Sequence, residues 1–197
     1  MARRNVVKEY LPRSTFHAYN RGINGDAIFV DDHDRRMFMD SLIARLPNSG
    51  VQLIAYCLLG NHFHLVLRQV IDGAITRVMR NSLSSYVKRF NARHVRYGAL
   101  FQDCFKAARL DSLGYLRTAI AYTHFNPLDI RSLPRYEEYE FSSHRLFTGE
   151  RVAPWFEPTL TAEIFGSGDQ YLSFMRSAER RRRQIGRELS AIWSPVS

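Results

Sequence analysis

Two strand-forming runs, Val51 to Leu58 and His62 to Arg68, are joined by only Leu59-Gly60-Asn61, which commits the middle of the chain to a β-hairpin. Strand side chains alternate in direction, so His62 and His64, with Phe63 between them, leave the second strand on one face. Neutral imidazole is the commonest metal ligand, and two on a rigid strand fix two coordination positions while leaving the rest to another ligand, water or a substrate oxygen. The spacing alone leaves a second reading open, in which both are surface or hydrogen-bonded histidines.

The hairpin sits inside a longer alternation of elements. Thr15 to Arg21 reads as a strand ended by Gly22 and Gly25, and Asp31 to Leu46 as a helix capped at Asp31-Asp32 and stopped by Pro47 and Gly50. Asp72 to about Tyr97 reads as a long helix, Cys104 to Leu110 as another strand, and Ser112 to Phe125 as a further helix. The order β-α-β-β-α-β predicts an α+β fold, a ferredoxin-like split βαβ sheet with helices on one face and one helix appended. Residues 1–13 form a basic lead-in that includes Pro12, and residues 148–197 a small, basic helical extension.

The appended helix carries a second constellation. Asp111 or Ser112 can cap it, Leu113, Leu116, Ile120 and Thr123 recur at helical spacing, and Pro127 ends it. Tyr122 and Asn126 then lie one turn apart on the same face, a hydroxyl beside a metal-capable amide oxygen. The plain alternative is that Tyr122 packs its ring and Asn126 serves the helix C-terminus. Tyr115 lies seven residues before Tyr122 on nearly the same face, but has Ala119 where Tyr122 has Asn126. His17 alternates with Tyr19 on the first strand, and is read as a hydrogen-bonded sheet histidine with a possible approach to the metal face.

Several motifs occur in one order: Phe16-His17-Ala18-Tyr19-Asn20-Arg21-Gly22, then Asn61-His62-Phe63-His64-Leu65, Gly98-Ala99-Leu100-Phe101-Gln102 leading to Phe105-Lys106, Tyr122 to Asn126-Pro127, and Phe141-Ser142-Ser143. Together they resemble the single-tyrosine HUH transposases, and within them the REP-associated tyrosine transposase family. The chain departs from that pattern at Leu59-Gly60, at Cys104 and at Leu128-Asp129-Ile130. The resemblance implies that residues 14–147 form the catalytic domain, that His62, His64 and Asn126 bind a divalent metal, Mg2+ or Mn2+, and that Tyr122 is the nucleophile. It further implies a single-stranded DNA endonuclease and strand transferase that acts at DNA hairpins through a 5'-phosphotyrosine. The chemistry suits these residue types, because a phosphodiester repels nucleophiles until its charge is neutralised, and a phenol of reference pKa about 10 needs help to ionise.

The chain carries 28 Lys and Arg against 19 Asp and Glu, a formal charge of +9, which favours a polyanionic partner such as single-stranded or hairpin DNA. Candidate phosphate contacts are Arg21 and Lys106, the long-helix residues Arg77, Arg80, Lys88, Arg89 and Arg93, and the run Arg180, Arg181, Arg182 and Arg183; for the helix and the run, a solvated face is the competing reading. Cys57 and Cys104 lack disulfide or metal spacing, and there is no signal peptide or long apolar run. A cytoplasmic monomer or homodimer without a membrane partner is expected. Two other functions remain open, a DNA or RNA hairpin-binding protein without turnover, and a metallohydrolase using water, for which the sequence offers no convincing carboxylate base near the histidines.

Overall fold

A computed structural model describes residues 14–130, 135–182, 184, 185 and 187; the lead-in 1–13 and Arg183 lie outside the described residues. The chain runs β1 (Ser14–Arg21), α1 (Asp32–Ile43), β2 (Val51–Leu58), β3 (His62–Gln69), α2 (Ala74–Arg93), β4 (Lys106–Arg109) and α3 (Leu113–Phe125). Three further helices follow, α4 (His144–Phe147), α5 (Thr159–Phe165) and α6 (Gly168–Glu179). The sheet has the order β2-β3-β1-β4 with every neighbouring pair antiparallel. β3 therefore lies between β1 and β2, which run parallel to each other, and this is the split βαβ arrangement of an α+β fold.

Local chemistry sets the ends of these elements. The Asp31 carboxylate accepts from the Asp34 amide and starts α1, and the Ser112 hydroxyl accepts from the Tyr115 amide and starts α3. α2 is shorter than its sequence pattern suggests because Gly73 at φ 68° and Val95 at φ 49° take left-handed backbone at its two ends. β4 is shorter too, since pairing with β1 covers only Lys106 to Arg109. Before it, Phe101 bridges Gly22 and the Gln102 amide donates to the Arg21 carbonyl, so residues 103–105 loop out between the two pairings.

Register decides which side chains share a face. Tyr19 pairs with His64, Arg21 with His62, and Lys106 with Tyr19, so these five project to the same side, as does His17 two residues from Tyr19. Phe63 projects to the other side and meets Phe38 of α1 at 5.0 Å, while Phe38 meets Tyr86 of α2 at 5.2 Å. As expected of helices on one face with one helix appended, α1 and α2 cover the Phe63 side, and the appended helix α3 brings Tyr122 against His64 on the opposite side. The physical reason is visible in β2, buried at every position except Gln52, because a strand apolar on both faces needs a cover on both.

The chain after α3 returns to the outer edge of β2, where the Leu58 amide donates to the Phe141 carbonyl and the Ser143 amide to the Tyr56 carbonyl. This covers the edge strand. The extension then packs on α3: the Arg117 guanidinium donates to the Ile164 carbonyl at 2.6 Å, and Leu160, Ile164, Phe165 and Tyr171 join the same hydrophobic core as the sheet.

Candidate active site

β3 and the end of α3 converge. The His62 and His64 rings lie 5.1 Å apart and nearly perpendicular, at 89°. Asn126, the first residue of a 3-10 turn that continues α3, is 5% exposed, and its amide lies close enough to both imidazoles to oppose the lowering of their pKa values. Its Nδ2 donates to the Tyr122 carbonyl at 2.8 Å, which leaves the amide oxygen as the atom able to serve a ligand. The helix pattern put Tyr122 and Asn126 on one face, and strand alternation put His62 and His64 on another. The fold brings all four together.

Each imidazole is held from the same side. His62 Nδ1 lies 2.6 Å from Asn61 Oδ1, and His64 Nδ1 lies 3.0 Å from His17 Nε2, which leaves Nε2 of each ring as the nitrogen for a ligand. Burial lowers the pKa of His64 well below the ordinary value, with His17 and His62 adding to it, and burial lowers His62 while Asn126 and Asp129 oppose the shift. Burial alone lowers His17 to about 3. All three rings are neutral at pH 7, the form that offers a lone pair to a metal.

Two imidazole nitrogens and one amide oxygen are a three-donor set that suits a divalent ion retaining about three positions for water or phosphate oxygens. Among the described residues no group of three His, Cys, Asp or Glu could hold a metal.

The Tyr122 ring stands edge-on to His64 at 5.5 Å and to His17 at 6.3 Å. Its phenol pKa is raised, first by burial and then by the Asp129 carboxylate, with Arg182 acting in the opposite sense. Asp129 and Arg182 form an ion pair. From sequence, Arg182 is only a candidate phosphate contact and Asp129 has no part in the site; a carboxylate three residues beyond Asn126 was the available signal. Tyr115, 51% exposed near the start of α3, does not line the cleft.

That cleft, about 530 Å³, is lined by Tyr122, His62 and His64 at one end and by Asn20, Arg21, Gln102 and Lys106 beyond them. Arg21 and Gln102 hydrogen-bond across its wall. Of the basic residues read from the sequence, Arg21 and Lys106 therefore reach the site. Arg77, Arg80, Lys88, Arg89 and Arg93 ride on α2 across the sheet, and Arg93 is engaged by Asp31 and Asp34. Arg180, Arg181 and Arg182 follow α6 and line a separate cleft of about 480 Å³ with Leu128 and Arg187.

No family model and no curated protein matches the chain. Among solved structures it is similar to a REP-associated tyrosine transposase bound to a REP hairpin, with a TM-score of 0.58 and 14% identity over 75% of this chain and 87% of that one. The two chains share a fold. It is the fold of the family that the sequence motifs resemble, and within it the similarity leaves the chemistry to the residues described above.

Proposed function

We propose that the protein is a divalent-metal-dependent endonuclease and strand transferase that cuts single-stranded DNA beside a hairpin, with Tyr122 as nucleophile. The observation that carries this reading is the meeting of His62, His64 and the Tyr122 ring in one cleft, with Asn126 buried one helical turn beyond Tyr122. The similar transposase is bound to a REP hairpin, which supports a hairpin as the partner here. No helix among the described residues is long and apolar enough to cross a membrane.

His62 Nε2, His64 Nε2 and the Asn126 amide oxygen would hold Mg2+ or Mn2+. When bound, such an ion neutralises the scissile phosphate and polarises its phosphorus–oxygen bond. The Tyr122 oxygen attacks phosphorus, the bond to the 3'-oxygen breaks, and that oxygen leaves as a 3'-hydroxyl after taking a proton. The product is a 5'-phosphotyrosine, which a second 3'-hydroxyl can attack in the reverse sense, so joining needs no nucleotide cofactor. Because burial and Asp129 hold the phenol neutral, Tyr122 must lose its proton during attack. Arg21 and Lys106 hold phosphates at the cleft, and Arg180, Arg181 and Arg182 hold backbone beyond it. The arginines of α2 would meet only DNA that wraps to the far face.

Incubation with a labelled hairpin carrying a single-stranded flank from the gene's own surroundings, with Mn2+, tests this. A protein–DNA adduct that resists denaturing electrophoresis is expected from the wild type, and none from Tyr122→Phe, which keeps its fold and its DNA affinity. An adduct from Tyr122→Phe refutes the nucleophile. Hairpin binding without any adduct from the wild type favours a non-catalytic binder.

A further inference from the structure

His17 is the third histidine of the cleft, and the chemistry above gives it no part. It is wholly buried, so it does not reach substrate. Its ring stacks on Tyr19 at 5.3 Å and on His64 at 5.0 Å, with interplanar angles of 22° and 17°. Its Nε2 lies 3.0 Å from His64 Nδ1. Because Tyr19 is the cross-strand partner of His64, His17 meets His64 on the diagonal of the β1–β3 ladder, an approach fixed by register.

A neutral imidazole carries one proton on two nitrogens. His64 can offer Nε2 to a cation only when its proton is on Nδ1, and a buried Nδ1–H needs an acceptor. For His62 the Asn61 side-chain oxygen fills that place. For His64 the atom in place is the Nε2 of His17. A second imidazole differs from an amide oxygen in one respect: in its other tautomer it donates, which would drive the His64 proton onto Nε2 and close the site to a metal.

We propose that His17 is a positioning residue that accepts the Nδ1 proton of His64 and so fixes His64 in the tautomer that presents Nε2 to the cleft. This role rests on the reading of His64 as a metal ligand. The ring also bears edge-on against Tyr122 at 6.3 Å, so the same side chain sets the ligand and borders the nucleophile.

Long-range proton–nitrogen correlation spectra of the metal-free protein report each histidine tautomer directly. Wild type is expected to show His64 protonated at Nδ1, and so is His17→Gln, whose amide oxygen can still accept. His17→Leu, which cannot, is expected to move the proton wholly or partly to Nε2. Mn2+ affinity, read from the free-ion paramagnetic resonance signal, should stay within about threefold of wild type in His17→Gln and fall roughly 10- to 100-fold in His17→Leu. His17→Val serves if the leucine variant does not fold. A wild-type His64 proton on Nε2 together with intact Mn2+ binding overturns this role alone, as does equal loss of affinity in the glutamine and leucine variants. Wild-type protein that binds no Mn2+ overturns the ligand reading of His64 and this role with it.

Discussion

Two groups of histidines lie buried or partly buried in this molecule, and they are built to opposite ends. At the cleft, His62 and His64 each engage Nδ1 with a neighbouring side chain, which leaves Nε2 as the nitrogen for a ligand. Beneath the extension, His124 engages both ring nitrogens, Nε2 with the Ser143 hydroxyl at 2.7 Å and Nδ1 with the Tyr171 hydroxyl at 2.8 Å, and His144 Nδ1 meets the same Tyr171 hydroxyl at 2.5 Å. Burial depresses the pKa of His124 as it does that of His64. Burial and titration therefore fail to separate a candidate site from a structural network. What separates them is hydrogen-bonding capacity left over beside a cavity.

The comparison breaks most visibly through His124→Ala. Loss of two buried hydrogen bonds and the ring volume should cost about 3 kcal/mol, or roughly 10 °C in melting temperature, measured by calorimetry. Mn2+ affinity should fall less than it does in His62→Ala; the reverse order would mean that the two clusters are one device. In His62→Ala, Mn2+ binding by calorimetric titration should weaken about 100-fold, some 2.7 kcal/mol, with little change in melting, because His62 lies at the partly exposed rim.

Acid should then sharpen the comparison. His17, His64, His124 and His144 all titrate below 6.5 in the fold, so below pH 6.5 the unfolded chain takes up protons that the native chain refuses. Stability is complete above that pH and falls as pH drops toward the native values; denaturant midpoints measured from about pH 7 to pH 4 should decline, and a flat profile would contradict the depressed values. The smallest effect expected is Asp129→Asn, which removes a charge that raises the Tyr122 phenol pKa and should let it titrate at lower pH, read by nuclear resonance of ring-labelled tyrosine. No change would show that Asp129 does not act on the nucleophile.

The hairpin, the His62–His64 alternation and the starts of α1 and α3 were legible because each depends on residues close in sequence: a three-residue turn, a period of two, a cap at Asp31 or Ser112. Tyr122 and Asn126 were legible as a pair for the same reason. Which face each helix covers was not, since alternation fixes only that two faces exist, and α2 with its arginines went to the side away from the cleft. The His17–His64 contact depends on a β1–β3 register that no local pattern states. The His124, Ser143 and Tyr171 network joins three distant segments and left no sequence signal.

That network has a consequence for motion. The helix that carries Tyr122 is fastened to α6 by the Tyr171 hydroxyl and to the end of α5 by Arg117. Opening the extension would strand buried polar groups on α3, so α3 and α6 should open and close as one cooperative unit. The lifetime of an ordered nucleophile is then set in part by the packing of residues that never approach DNA.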